Sequence, residues 1–157
     1  MGIIGLSLLC LGSALISQHG LDMRPCPWCI VQRMIWVAVI PIALAGWGFS
    51  AVAGSQIVAG IGVIVAGGLG IAAAVWQYFF AAAAGSCAFT WADRFIGQTQ
   101  LDALLPWLFQ PLASCAEAEV KLLGIPYAIV SALMFSLLTL WGLGIVYGEL
   151  QRLRHQI

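Results

Sequence analysis

The chain has 157 residues and no net charge, since six Lys and Arg balance six Asp and Glu. Hydrophobic residues make up 62% of it and charged residues 8%, against roughly 25% charged in soluble domains. A chain of this size buries only about 70% of its unfolded surface, so this composition argues against a water-soluble enzyme. The balanced charge argues against a nucleic-acid partner. A small integral membrane protein remains.

Charge-free runs predict where the chain crosses the membrane. They cover residues 1–21, 34–92 and 122–148. The middle run is too long for one helix, because about 20 apolar residues span the hydrocarbon layer. The Gly, Ser and Gln residues within 46–56 supply a turn that divides it. We therefore predict four spans, near 2–18, 30–48, 57–80 and 127–147.

These spans predict an all-α membrane protein, a four-transmembrane-helix bundle formed as one domain over residues 1–157. Both termini then lie on one side, and two loops near 19–29 and 81–126 lie on the other. Pro41 falls inside the second span, where we expect a kink. Small residues let membrane helices approach closely, so we expect packing from the glycines of the third span, which are Gly60, Gly62, Gly67, Gly68 and Gly70.

Four of the five cysteines fall in the two loops, on the same side of the membrane. Cys26 and Cys29 form a Cys-Pro-Trp-Cys motif, whose small disulfide ring would be readily reduced and re-formed. A helix that begins near Cys29 would stabilise a thiolate there and lower its pKa. Arg33 lies one turn further along the same face, where its charge needs an anionic or polar partner.

Less active roles for these residues stay open. Cys26 and Cys29 are also compatible with a structural disulfide, although so short a loop gains little from one. The four loop cysteines are also compatible with a zinc site, although structural zinc usually uses paired knuckles. An arginine near a helix end commonly extends its charge to the membrane interface, which is the alternative for Arg33.

The second loop carries Cys87 and Cys115 on either side of an apolar pattern. Its residues Leu101, Leu104, Leu105 and Leu108 have the spacing of a short amphipathic helix. We expect this helix on the membrane surface, shortened or bent by Pro106. The alternative for Cys87 and Cys115 is a disulfide that staples a long loop.

Together the two pairs favour a relay in which oxidation passes between them through mixed disulfides. Such a relay needs a terminal electron acceptor. The sequence has no dinucleotide-binding fingerprint and no pair of haem-binding histidines. A lipid-soluble quinone is the acceptor that needs no such motif.

These features resemble the disulfide bond formation protein B (DsbB) family of bacterial inner-membrane thiol oxidases. The resemblance rests on motifs in one register along the chain. They are Gln18-His19, Pro25-Cys26-Pro27-Trp28-Cys29-Ile30 with Arg33, Ser86-Cys87-Ala88-Phe89, the segment 101–109, Cys115-Ala116-Glu117, Leu123-Gly124 and Pro126.

The resemblance implies a role for each site residue. Cys87 would be attacked by a reduced DsbA-like thioredoxin-fold protein of the periplasm, and Cys115 would resolve toward Cys26. Cys29 would face a membrane quinone, ubiquinone or menaquinone, with Arg33 holding a quinone carbonyl. No metal is implied. The termini would be cytoplasmic and both loops periplasmic, which the charges of the loops do not decide on their own.

Two departures from the family pattern concern the quinone pocket. Many members carry an acidic residue just before the arginine, where this chain has Gln32. Some have a histidine near the outer end of the third span, where this chain has none, so a contribution of Gln77 or His19 stays open.

The competing function is a non-enzymatic four-helix membrane scaffold with two structural disulfides.

Overall fold

A computed structural model of the chain describes residues 1–81, 91–114, 121–122 and 125–155. The helices are α1 (Gly2–Gly20), α2 (Pro27–Gly48), α3 (Ser55–Trp76), α4 (Trp91–Thr99), α5 (Leu101–Leu104), α6 (Pro106–Phe109) and α7 (Tyr127–Arg154). A π-helical turn, Gln77–Ala81, continues α3. Two short antiparallel strands, β1 (Lys121–Leu122) and β2 (Ile125–Pro126), precede α7.

Four helical stretches in the described part of the chain are long and apolar enough to cross a membrane: Gly2–Gly20, Pro27–Gly48, Ser55–Phe80 and Tyr127–Arg154. They confirm the predicted fold class and the number of spans. The second starts earlier than predicted because Pro27 fits the first helical position, where no N–H is needed. The last extends through Arg152, which pairs with Glu149 at 3.7 Å one turn before it.

The centre of the bundle is the packing of α3 between α2 and α7. Any Cβ at Gly60, Gly67 or Gly70 would collide with side chains of α7, so these glycines let the two helices approach closely. Gly62 faces Ile42 on α2 instead, and a Cβ at Gly68 would meet nothing within 4 Å. The expected packing role therefore holds for four of the five glycines.

One seam of the bundle is loosely closed. Helix α1 packs mainly on α2 and makes few contacts with α7. The apolar core draws residues from all four long helices, and within it the rings of Trp36 on α2 and Phe135 on α7 stack with centroids 4.6 Å apart. The bundle is therefore closed least tightly between its first and last helices.

The second loop differs from its prediction. The leucine pattern forms two four-residue helices, α5 and α6, because Pro106 cannot donate a backbone hydrogen bond and starts a new helix. Helix α4 precedes them and was not predicted. Ala92, Ile96 and Phe109 of these helices are buried against Ile30 and Val31 on α2. The loop helices therefore lie against the start of α2, and their position at a membrane surface stays a prediction.

Candidate functional site

The Cys-Pro-Trp-Cys motif forms the start of α2. Cys26 is the extended residue that caps the helix, and its carbonyl accepts a hydrogen bond from Ile30 at 3.1 Å. Pro27 occupies the first helical position, which places Cys29 in the first turn. Cys26 is completely buried, while Cys29 is partly exposed. The two cysteines of the motif therefore differ in their overall exposure.

The two sulfur atoms are within reach of each other. The Sγ atoms of Cys26 and Cys29 lie 3.2 Å apart as two free thiols, and a disulfide would bring them about 1 Å closer. The hydrogen bond to Cys29, together with burial, raises the pKa of the Cys26 thiol well above its ordinary range. Its contact with Cys29 and its burial therefore disfavour a thiolate at Cys26.

Arg33 lies one turn deeper on α2, where its side chain is only 6% exposed. The guanidinium donates to Gln18 Oε1, to the carbonyl of Ala14 at 3.1 Å and to the carbonyl of Leu108 at 3.1 Å. These bonds join α2 to α1 and to α6. Arg33 is therefore enclosed by protein. Its charge does not extend toward water, which is what the alternative prediction required.

Cys29 and Arg33 line the same cavity, which has a volume of about 60 Å³. A second cavity of about 260 Å³ lies along the seam between α1 and α7. The two share the lining residues Cys10, Ser17, Tyr127 and Ser131. The smaller cavity is thus polar at Arg33 and adjoins a larger one along the loosely closed seam.

A quinone is the electron acceptor that the resemblance implies. Its ring carbonyls would need hydrogen-bond donors, and its isoprenoid tail would need an apolar path into the bilayer. Arg33 supplies donors, since its described bonds leave part of its N–H capacity uncommitted. The larger cavity supplies apolar walls, among them Ile16, Val130 and Met134.

Gln77 contacts the two cysteines of the motif directly, and Gln32 is connected to them through Gln77. Gln77 Nε2 donates to Cys29 Sγ at 3.3 Å and to Cys26 Sγ at 3.5 Å. Gln32 Nε2 donates to Gln77 Oε1 at 2.8 Å. Gln32, but not Gln77, also lines the cavity beside Arg33. Gln77 therefore belongs to the sulfur pair rather than to the cavity.

His19 lies away from the sulfur pair and from the cavity beside Arg33. Its ring Nε2 lies 3.2 Å from the carbonyl oxygen of Trp107, and the side chain is exposed. It is not among the residues that line the cavity of Cys29. In the described structure His19 joins the end of α1 to α6.

Cys87 and Cys115 lie outside the described residues, so their predicted roles stay predictions. The chain is described up to residue 114, and this end of the second loop contacts the first loop. The N–H groups of Leu112 and Ala113 lie 2.9 and 3.3 Å from the carbonyl oxygen of Pro25. Ala113 also packs against Cys26.

Sequence reasoning assigned no role to Gln18, Tyr127 or Ser131. Gln18 binds Arg33, Tyr127 lines both cavities, and Ser131 Oγ donates to Gln32 Oε1 at 2.5 Å. A polar side chain at the edge of an apolar span was the only available indication. It does not say which partner the side chain meets.

Comparison with known proteins places the chain in a family. The family model described as "Disulfide bond formation protein DsbB" matches residues 1–145. "Disulfide bond formation protein B" of Dechloromonas aromatica is 31% identical, over 87% of this chain and 82% of that protein. The protein of the same name from Polaromonas sp. is 32% identical, over 89% and 86%. No solved structure matches the chain significantly. With the four spans, these matches mean that the chain is a multi-pass membrane protein and belongs to the DsbB family of disulfide bond formation proteins.

Proposed function

We propose that this protein re-oxidises a periplasmic thioredoxin-fold dithiol oxidase of the DsbA type and passes the electrons to a membrane quinone. The observation that carries the proposal is that Cys29 and Arg33 line one cavity beside the seam between α1 and α7. A sulfur and a cation thus share a cavity that adjoins this seam. The disulfide bond formation role named for the relatives supports the same chemistry.

The reaction balances as an exchange of disulfides that ends in reduction of the quinone. Each exchange breaks one S–S bond and forms another, so no electrons are lost between cysteine pairs. The partner's dithiol loses two electrons and two protons when it becomes a disulfide. The quinone, when bound, supplies the acceptor for both, and quinol is the product.

The residues of this chain divide the work by position. Cys87 would receive the partner's thiolate, and Cys115 would then resolve toward Cys26. Support for the second step comes from Ala113, which packs on Cys26 and stands two residues before Cys115 in the sequence. Cys29 would face the quinone, and Arg33 would donate to one of its carbonyl oxygens.

This chemistry requires both loops on the oxidising side of the membrane. We therefore place the protein in the bacterial inner membrane, with both termini in the cytoplasm and both loops in the periplasm. Four spans are compatible with this arrangement, because an even number returns the C-terminus to the side of the N-terminus.

The proposal is tested with the purified protein, a reduced DsbA-like oxidase and an analogue of ubiquinone or menaquinone, following quinone absorbance. We expect turnover by the natural chain and none by Cys29→Ala. Val58→Ala is the control, since this α3 side chain is 74% exposed and far from the motif in the sequence. We expect it to retain the natural rate.

Retained turnover by Cys29→Ala would overturn the relay. A scaffold with structural disulfides would behave differently from an oxidase. Its disulfides would survive a mild thiol reductant, and no quinone would be reduced in the presence of the partner.

A further inference from the structure

Three uncharged polar side chains form a continuous row of hydrogen bonds that ends at the sulfur pair. Ser131 on α7 donates to Gln32 Oε1 on α2 at 2.5 Å. Gln32 Nε2 donates to Gln77 Oε1 at 2.8 Å, and Gln77 Nε2 lies 3.3 Å from Cys29 Sγ. The row thus draws one residue from each of the three tightly packed helical elements.

In the structure the row runs in one direction. The Ser131 hydroxyl donates to the oxygen of Gln32, which turns the Gln32 NH₂ group toward Gln77. That NH₂ group requires the oxygen of Gln77, which turns the Gln77 NH₂ group toward sulfur. Each amide is therefore oriented by the group before it.

Burial makes this orientation costly to lose. Gln32 is 3% exposed and Gln77 is 6% exposed, so neither amide can exchange its partners for bulk water. Gln77 also begins the π-helical turn Gln77–Ala81. Such turns occur frequently at functional sites, where they shift a side chain out of the regular helical register.

We propose that Gln77 is a catalytic residue that donates an N–H to the reacting sulfur of Cys29, and that Gln32 and Ser131 are positioning residues that aim it. A hydrogen bond to a charged acceptor is stronger than one to a neutral acceptor. The Gln77 amide therefore favours negative charge on Cys29 over the neutral thiol. The inference rests on the proposed function only in taking Cys29 as the reactive cysteine.

Charged and titratable groups also face Cys29. Cys26 lies beside it, Arg33 lies one turn deeper on α2, and Tyr127 approaches from α7. Cys10 on α1 and Arg24 in the first loop line the same cavity. Arg33 acts on Cys29 through its charge, whereas Gln77 is uncharged and acts through direct contact. Substitution of Gln77 therefore removes its hydrogen bonds to the two sulfurs and to Gln32, and it leaves the charges around Cys29 unchanged.

The test measures alkylation of Cys29 by iodoacetamide in the reduced protein, with Cys87 and Cys115 replaced by Ala and the modified residue identified by mass spectrometry. We expect Gln77→Leu to slow alkylation at neutral pH about tenfold, which is the weight of one charge-assisted hydrogen bond. Its pH profile should move to higher pH. The control is Gln56→Leu, the same substitution at the other end of α3.

Ser131 provides the test of positioning with a smaller change. We expect Ser131→Ala to slow alkylation part of the way, and Ser131→Thr, which keeps the hydroxyl, to restore the natural rate. The role of Gln77 would be overturned if the Gln77→Leu protein had the unfolding temperature of the natural chain and were alkylated at the same rate as the natural chain. If Gln77→Leu does not fold, the two Ser131 variants provide the test. Equal alkylation rates for Ser131→Ala and Ser131→Thr would then overturn the proposed role of the hydrogen-bonded row.

These outcomes are separable from those of the proposed function, because alkylation needs neither partner nor quinone. Slow alkylation of Gln77→Leu alongside a natural chain that reduces no quinone would sustain the amide row and refute the quinone reaction.

Discussion

At the scale of single residues, Arg33 does most to join the parts of the site. It contacts two neighbouring elements through Gln18 and the carbonyls of Ala14 and Leu108, and it lines the cavity that also contains Cys29. Its removal would therefore act on the fold and on the cavity together. The two effects can be measured separately.

We expect Arg33→Ala to raise the quinone KM about 10- to 100-fold, because it removes a charge-assisted hydrogen bond to the ring. The free energy of unfolding should fall by about 1–3 kcal/mol, because buried oxygens lose their donor. The measurements are quinone reduction at varied quinone concentration and thermal unfolding in detergent. Arg154→Ala is the charge-matched control, on an exposed turn of α7. An unchanged KM would contradict a docking role for Arg33.

The sequence allowed the motif but not its surroundings to be predicted. Cys26, Cys29 and Arg33 are close in the chain, so helical spacing alone relates them. Gln77 and Ser131 are 45 and 99 residues from Gln32 along the chain. Their meeting depends on how three helices pack, which no local pattern contains.

At the scale of elements, the contact between α3 and α7 depends on the absence of side chains. A Cβ at Gly67 would collide with Thr139, whereas a Cβ at Gly68 would meet nothing within 4 Å. These neighbouring glycines therefore occupy opposite environments in one helix. They offer a matched pair of substitutions.

Gly67→Leu should destabilise the bundle by about 1–3 kcal/mol, because a larger side chain has no room without separating the helices. Gly68→Leu should leave the unfolding temperature close to that of the natural chain. Thermal unfolding followed by near-ultraviolet circular dichroism measures both. Equal stabilities for the two variants would mean that Gly67 does not set the distance between α3 and α7.

Elements in the bilayer were more predictable than those of the loop. A membrane span is recognised from a long run of uncharged residues, so all four spans were predicted. Helix α4 has nine residues, and only Ala92 and Ile96 of these are buried, which is too short a pattern to identify a helix. Pro106 was recognised as an interruption, but its ability to begin the new helix α6 was not anticipated.

At the scale of the whole molecule, the proposed orientation is open to a direct test. We expect a cysteine introduced at exposed Gln98, in a chain without native cysteines, to react with a membrane-impermeant maleimide in intact spheroplasts. A cysteine at exposed Gln151 should react only after lysis. Mass spectrometry of the labelled protein measures both. Labelling of Gln151→Cys in intact spheroplasts would contradict cytoplasmic termini.

The bundle also combines a tightly packed part with a more loosely packed one. Helices α2, α3 and α7 share the glycine-mediated contacts and the aromatic core, while α1 is attached chiefly to α2. A ligand that enters along the seam between α1 and α7 would therefore leave the tightest packing intact. The composition predicted a membrane protein, but the asymmetry of the bundle follows only from its three-dimensional packing.

The hydrogen bonds of Arg33 have an electrostatic consequence. All three go to uncharged oxygens of an amide and two carbonyls, so they hold the guanidinium in place without cancelling its charge. Surrounded by protein of low polarity, that charge maintains a positive potential in the cavity. An electron-rich species formed there would meet a field already established by the fold, with no solvent reorganisation needed to create it.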